Sequence, residues 1–190
     1  TKVDLKIYSD IKLYDSIVVT THARPLRGAT FIRDFIVRKN NQISAYASTA
    51  WVMFDLNERT ILRPNAIESL GTVPTSLDDM IELPCIRRKI DQNSLSRTDV
   101  RKVRYSLLDM NNHLNNTYYA DFIFDCISKE QHKSDEGLFF HIDFKTEGRL
   151  DDTIEMYTSG DLSCGDVDIV ATNKNTGKIC FNAYVSYDKV

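Results

Sequence analysis

The chain has 190 residues, of which 42% are hydrophobic and 27% charged, a composition typical of a globular protein that buries a core. Its formal net charge of −3 argues against a general nucleic-acid binder, because binding through phosphates needs a large excess of Lys and Arg. No run approaches the roughly 20 apolar residues that would span a bilayer, and no signal peptide is visible. These features favour a cytoplasmic protein.

The first third of the chain has β character. Residues 17–21 form a β-branched run, and residues 30–38 and 43–54 mix aromatic and β-branched side chains with charges. Asn40 and Asn41 separate the last two runs and are typical turn residues. We therefore predict an antiparallel hairpin here.

The middle of the chain changes character. Prolines and polar residues interrupt any long element between residues 55 and 98. We predict a linker over residues 67–98, with one short helix around residues 66–70.

The second half is more regular. Residues 103–107 look like a strand, and residues 117–127 read as a helix that is apolar almost all round and therefore buried on most sides. Asn115 or Asn116 is suited to be the N-cap of this helix. Four strand-like stretches follow, at residues 138–146, 153–159, 167–172 and 178–187.

A strand, one buried helix and an antiparallel meander is the arrangement of the hot-dog fold, in which a sheet wraps a central helix. The first third supplies a similar meander without a preceding helix. We predict an α+β chain with a tandem hot-dog fold, the first repeat's helix being missing from this chain. The predicted parts are a partial N-terminal domain (1–66), the linker (67–98) and a C-terminal domain (99–190) with the catalytic residues.

The segment richest in chemistry precedes the predicted helix. Asp109, Asn111 and His113 occupy alternate positions, so in an extended chain a carboxylate, an amide and an imidazole share one face. Ester hydrolysis needs a base for water and donors for the oxyanion, and these residue types supply them. Because Asp and Asn before a helix are also common caps and turn formers, a structural role stays open.

The string from Asp109 to Tyr119, D-x-N-x-H-x-N-N-x-x-Y, resembles the acyl-acyl carrier protein (acyl-ACP) thioesterase family of plant plastids and bacteria. Further similarity lies at residues 33–36, 50–53 and 142–147. This resemblance implies tandem hot-dog domains and hydrolysis of fatty acyl-ACP to free fatty acid and ACP.

The resemblance also implies four catalytic residues. Glu147 would be the base for water, Asn111 and His113 would hold and polarise the thioester carbonyl, and Asp109 would orient its neighbours. The plant enzymes have a cysteine directly after that glutamate, where this chain has Gly148. A cysteine nucleophile cannot act from that position, which favours attack by water.

No cofactor or metal is predicted. The four cysteines form no CxxC pair, and we expect reduced, mostly buried thiols. The histidines outside the motif, His22, His132 and His141, are not spaced with acidic residues as metal ligands would be. By the same resemblance, we expect that a helix and a strand of the family's first domain are missing before Thr1.

The predicted partner is an acidic acyl carrier protein. Seven basic and two acidic residues lie between Cys85 and Arg104, and Arg87, Arg88 and Lys89 are the candidate ACP-binding residues. A solvated surface without a partner is the alternative for this segment. We predict no nucleic acid and no membrane span, with a homodimer left open and a bacterial cytoplasm as the setting.

Two other functions stay open. One is a hot-dog thioesterase acting on acyl-CoA, in which Asp109 could be the base. The other is a non-catalytic acyl-binding module with the same fold.

Overall fold

The computed structural model describes residues 1–25, 28–55, 57–58, 60–62, 89–127, 137–161 and 166–188. The chain divides into two compact units, Thr1–Cys85 and Ile86–Val190. In the described ranges, no helix has the length and apolar character needed to cross a bilayer. The predicted helix at residues 66–70 and most of the predicted linker at 67–98 lie outside the described residues.

The first unit contains a four-stranded antiparallel sheet with the spatial order β2-β3-β4-β1. Its strands are β1 (Lys2–Ile7), β2 (Ile17–Ala23), β3 (Thr30–Lys39) and β4 (Gln42–Val52). A short ribbon follows, made of β5 (Phe54–Asp55) and β6 (Thr60–Ile61). The described part of this unit contains no helix.

The predicted hairpin between β3 and β4 is confirmed. Lys39 pairs with Gln42, so only Asn40 and Asn41 lie in the turn. Their φ angles of 51° and 63° are both positive. Two positive φ values are those of a type I′ turn, whose twist matches that of the flanking strands, and Asn tolerates this region better than most residues.

The first unit buries a polar group at its centre. Asp34 on β3 is 1% exposed, and its Oδ2 lies 2.5 Å from the Nε of Arg24. The Arg24 guanidinium also donates to the Tyr46 hydroxyl at 3.0 Å. Burial raises the pKa of Tyr46 to about 12, although the Arg24 hydrogen bond acts in the opposite direction. A buried charge of this kind persists because a partner of opposite charge compensates it.

In its described residues, the second unit contains one α-helix and a five-stranded antiparallel sheet with the spatial order β8-β11-β10-β9-β7. Its elements are β7 (Ser96–Lys102), α1 (Asn116–Asp125), β8 (Gly137–Phe144), β9 (Thr153–Asp161), β10 (Asp166–Asn173) and β11 (Ile179–Asp188). Two short 3-10 turns, Gln92–Ser94 and Tyr105–Leu107, flank β7.

The two units share one strand order. The four strands that follow α1 along the chain lie in the order β8-β11-β10-β9, and the strands of the first unit lie in the matching order β1-β4-β3-β2. Among the described residues, the first unit has no counterpart of β7 or of α1. The units are therefore related in topology, and within the described ranges only the second contains a helix of this kind.

Helix α1 is less buried than its sequence predicts. Its buried side chains are Tyr119, Phe122 and Ile123. A polar stripe at a spacing of four residues is exposed, comprising Thr117, Asp121 and Asp125. The expectation of burial on most sides is wrong, because these three residues keep one face of the helix in solvent.

The strand before α1 also differs from the prediction. β7 ends at Lys102, and the predicted strand at residues 103–107 is instead an extended link followed by the 3-10 turn. β7 lies at the edge of its sheet and is rich in charged and polar residues that face solvent. Edge strands commonly carry such charges, so β7 lacks the hydrophobic alternation that would identify it. It begins inside the segment predicted as linker.

Candidate functional site

The candidate site begins at a closed loop between β7 and α1. Leu108 and Leu114 form an isolated antiparallel bridge, and the Asp109 backbone N–H donates to the His113 carbonyl at 2.8 Å. Asn112 at the tip has a φ of 59°. The predicted extended run, in which alternate side chains share a face, is therefore wrong. The chain turns back on itself because a side chain inside the loop binds its backbone.

That side chain is Asp109. Its Oδ1 accepts the backbone N–H groups of Asn111 at 2.8 Å and of His113 at 3.1 Å. Burial by itself raises the pKa of Asp109, but these two backbone donors, together with smaller effects of the His113 and Asn111 side chains, hold the pKa below its usual value. Asp109 thus fixes the backbone that carries the amide and the imidazole.

The imidazole meets a carboxylate from another element. His113 Nε2 lies 2.9 Å from Glu147 Oε2, a residue in the segment after β8. The backbone of His113 forms an isolated bridge with Arg149, which aligns this segment with the loop. The two side chains are 29% and 51% exposed, so water and a substrate can reach them.

Asn111 lies at the same loop but stands apart from this pair. It is exposed, and within the described part of the chain no hydrogen bond joins its amide to His113 or Glu147. Its side chain adds a smaller contribution to the lowered pKa of Asp109, after burial and the backbone donors. The amide is therefore available at the solvent side of the loop.

The N-terminus of α1 is capped from within the chain. Asn115, one of the two predicted caps, accepts the Thr117 N–H at 3.1 Å through its side chain. This N–H is thereby withdrawn from any ligand. The cap also fixes the direction in which the chain leaves the loop.

Two residues of the site had no role in the sequence-based prediction. Arg149 Nη2 lies 3.6 Å from Glu147 Oε2 and is 60% exposed. The buried hydroxyl of Tyr119 accepts the Gly148 N–H at 3.1 Å. The sequence contains only two signals for them. Arg149 is a cation two residues after Glu147, and Tyr119 is the final tyrosine of the motif.

The described thiols are poor nucleophiles. Burial raises the pKa of Cys126 to about 11, and its Sγ donates to the Phe122 carbonyl. Cys180 is fully buried, and burial raises its pKa as well. Cys85 and Cys164 lie outside the described residues. Across the described ranges, no three His, Cys, Asp or Glu side chains are grouped as a metal site requires.

The basic segment, residues 85–104, is partly neutralised by acidic residues of the second unit. Arg97 pairs with Glu155 on β9 at 3.2 Å. Arg101 pairs with Asp99 on β7 at 2.5 Å and with Asp125 on α1 at 3.0 Å. Lys102 pairs with Asp151, in the turn after residue 149, at 2.8 Å. Lys89 is exposed, whereas Arg87 and Arg88 lie outside the described residues.

Comparison with solved structures identifies the fold. An acyl-ACP thioesterase from Bacteroides thetaiotaomicron has a TM-score of 0.79 at 18% identity, over 98% of this chain and 74% of that one. A 12:0-ACP thioesterase from Umbellularia californica has a TM-score of 0.75 at 16% identity, over 98% and 73%. A MaoC-like dehydratase from Phytophthora capsici has a TM-score of 0.63 at 12% identity, over 99% and 68%. The predicted hot-dog fold is confirmed, and at these identities the likeness shows the fold alone.

Family membership comes from the sequence. No curated protein sequence matches the chain. A family model, the acyl-ACP thioesterase C-terminal domain, matches residues 90–189, just over half of the chain. This range contains the loop, α1 and the segment of Glu147. The chain therefore belongs to the acyl-ACP thioesterase family.

Proposed function

We propose that this chain hydrolyses fatty acyl-ACP to free fatty acid and ACP by base-assisted attack of water. The observation that carries the proposal is the 2.9 Å contact between His113 Nε2 and Glu147 Oε2. A carboxylate and an imidazole that meet at a partly exposed position are the groups that activate and orient water. Membership of the thioesterase family supplies the class of reaction.

In the proposed reaction, Glu147 takes a proton from water through its other oxygen, Oε1, while Oε2 accepts the His113 Nε2–H. The water oxygen adds to the thioester carbonyl carbon and forms a tetrahedral oxyanion. When this intermediate collapses, the carbon–sulfur bond breaks, and the thiolate takes the proton back from Glu147. The products are the fatty acid and the carrier thiol.

The other two residues act around this step. Asn111 donates its amide N–H to the carbonyl oxygen as negative charge develops there. Since the Nε2–H of His113 holds Glu147, His113 can donate to the carbonyl oxygen only through an N–H at Nδ1. Asp109 contacts neither the water nor the carbonyl in this proposal, because its carboxylate holds the loop that carries both residues.

The proposed carrier is an acyl carrier protein. Support comes from the family model and from the basic residues at the start of the second unit. Lys89 and Arg104 are exposed and, within the described ranges, form no ion pair. A positive surface raises the encounter rate with an acidic carrier and helps to orient it.

Acyl-CoA is the second candidate substrate, and one observation favours it. Arg97, Arg101 and Lys102 pair with acids of their own unit, which reduces the positive charge available to an acidic protein. CoA needs only a few cations for its phosphates.

Parallel assays decide between these functions. The protein should hydrolyse acyl-ACP with a higher kcat/KM than the matching acyl-CoA at the same chain length. A preference for acyl-CoA would establish the second candidate. Tight binding of acyl-ACP without turnover would contradict hydrolysis and indicate an acyl-binding module.

A further inference from the structure

The peptide bond after Glu147 is held by a side chain from the helix. The Gly148 N–H donates to the Tyr119 hydroxyl at 3.1 Å in a buried position, and Tyr119 is 2% exposed. Its ring makes edge contacts with Phe144 at 5.7 Å and Phe181 at 5.2 Å, which fix the ring between helix and sheet. The hydroxyl therefore has little freedom to move away from the peptide.

The same glycine is held on its other side by the loop. The Leu114 N–H donates to the Gly148 carbonyl at 2.8 Å. Leu114 follows His113 and Gly148 follows Glu147, so the two hydrogen bonds of this glycine lie directly beside the imidazole and the carboxylate. Any shift of Gly148 moves one partner of the 2.9 Å contact relative to the other.

Gly148 has little space for a side chain. A Cβ atom there would lie 3.3 Å from the Tyr119 hydroxyl and 3.3 Å from the Leu114 Cβ, closer than ordinary van der Waals contact. Close approach, rather than an unusual backbone conformation, thus selects glycine at this position. Burial raises the pKa of Tyr119, which keeps its oxygen a neutral phenol at ordinary pH.

We propose that Tyr119 is a positioning residue for the hydrolysis, whose hydroxyl holds the Gly148 peptide so that the Glu147 carboxylate faces His113. This inference rests on the proposed function. Tyr119 touches neither water nor substrate, and it acts through the backbone of its hydrogen-bond partner. Replacing the hydroxyl leaves the buried Gly148 N–H without an acceptor and frees the segment to shift.

The test compares two tyrosines of one helix. Tyr119→Phe should lower kcat by roughly 10- to 100-fold with little change in KM, since small displacements of reacting groups have effects of this size. Tyr118→Phe is the matched control. The Tyr118 hydroxyl donates to the Ser106 carbonyl at 3.4 Å, away from Gly148, and its loss should leave kcat unchanged.

A double-mutant cycle separates positioning from general loosening of the fold. Gly148→Ala should also lower kcat, because the new methyl group pushes against the Tyr119 hydroxyl. In the Tyr119→Phe background that collision is relieved, so the second substitution should have a smaller effect than in the wild type. If Tyr119→Phe fails to fold, an unchanged kcat in Gly148→Ala alone overturns the proposal.

The two proposals fail in different ways. If the wild type hydrolyses no acyl thioester, the proposed function is wrong. If the wild type turns over and Tyr119→Phe matches Tyr118→Phe in kcat, only the role of Tyr119 is wrong. Strictly additive effects of Tyr119→Phe and Gly148→Ala on kcat would also overturn the proposed role of Tyr119.

Discussion

His113 and Glu147 come from different elements, the loop before α1 and the segment after β8, yet their Nε2 and Oε2 atoms lie 2.9 Å apart. Two features of the backbone produce this contact. Asp109 closes the loop, and the bridge between His113 and Arg149 aligns the second segment with it. The pair is therefore a product of tertiary structure rather than of local sequence.

The first prediction concerns this pair. Glu147→Gln and His113→Ala should each lower kcat by at least about 100-fold, because the first removes the base and the second removes the group that holds the base in place. The double variant should be little worse than either single one, since residues that act as a unit are not additive. Stability should change little because Glu147 is 51% exposed.

Steady-state kinetics and thermal unfolding check this prediction. Glu58→Gln is the matched control, an exposed glutamate of the first unit changed in the same way. Near-normal hydrolysis by Glu147→Gln would remove the glutamate from the mechanism. Additive losses in the double variant would show that the two residues act separately.

The second prediction concerns Asp109 and pH. Burial raises its pKa, but two backbone N–H groups, with smaller effects of the His113 and Asn111 side chains, bring the pKa in the folded state below the usual value of 3.8. A lowered folded pKa contributes stability that is fully present above the usual value and is lost as the pH falls through the folded pKa. Asp109→Asn keeps an oxygen acceptor for the loop but does not titrate.

The measurement is urea unfolding of wild type and Asp109→Asn from about pH 7 down to about pH 2. The wild type should be the more stable above pH about 4, and the difference should shrink in acid. Asp121→Asn on the exposed face of α1 shows the effect of removing any exposed carboxylate. A constant difference across the whole range would contradict the role of Asp109 as a charged acceptor.

Much of the fold could be predicted from the sequence. The meander after α1 is recognisable because its strands carry β-branched and aromatic residues between clear turns, and Asn40 and Asn41 identify the hairpin of β3 and β4. β7 was missed for a physical reason. Its charged residues lie at a sheet edge facing solvent, so no hydrophobic pattern records its pairing with β9.

The site was predictable only in part. The sequence predicts four site residues, and the structure brings two of them, His113 and Glu147, into contact. Alternation in an extended chain is the wrong reason for that contact. Asp109 instead binds the backbone of the loop. The contact of Tyr119 with Gly148 was beyond sequence reasoning, because it depends on how α1 packs over the segment after β8.

The third prediction is that hydrolysis does not use the described thiols. Burial raises the pKa of Cys126 to about 11, so almost none of it is thiolate at neutral pH. Cys126→Ala and Cys180→Ala should keep the wild-type kcat, although the second should lower stability because Cys180 is fully buried. Steady-state kinetics after each substitution check this. A large loss of kcat in folded Cys126→Ala would indicate that Cys126 acts as a nucleophile.

The fourth prediction concerns the stability of the first unit. Asp34→Ala removes the carboxylate that pairs with the Arg24 guanidinium in a buried setting, since the two side chains are 2% and 15% exposed. Breaking such a pair should lower the free energy of unfolding by about 3–5 kcal/mol. The residues proposed for catalysis lie in the second unit, so kcat of the folded variant should be retained.

The single tryptophan makes this measurement specific. Trp51 on β4 is the only tryptophan, and its Nε1 donates to Thr49 Oγ1. Its fluorescence therefore reports unfolding of the first unit. Asp10→Asn, at an exposed position, serves as the control. An unfolding free energy within about 0.5 kcal/mol of the wild type would show that the pair with Arg24 contributes nothing net.

The last prediction concerns the carrier. Changing Arg87, Arg88 and Lys89 together to Gln should raise KM for acyl-ACP several-fold and leave KM for a short acyl-CoA almost unchanged, because an acidic carrier meets this segment with a larger charged surface. The effect on acyl-ACP should shrink as salt is added, since screening weakens exposed charges. A control removing the same number of charges from turns elsewhere combines Lys12→Gln, Lys174→Gln and Lys178→Gln. Equal rises in KM for both substrates, or an equal effect of the control on acyl-ACP, would show that the segment does not recognise the carrier protein.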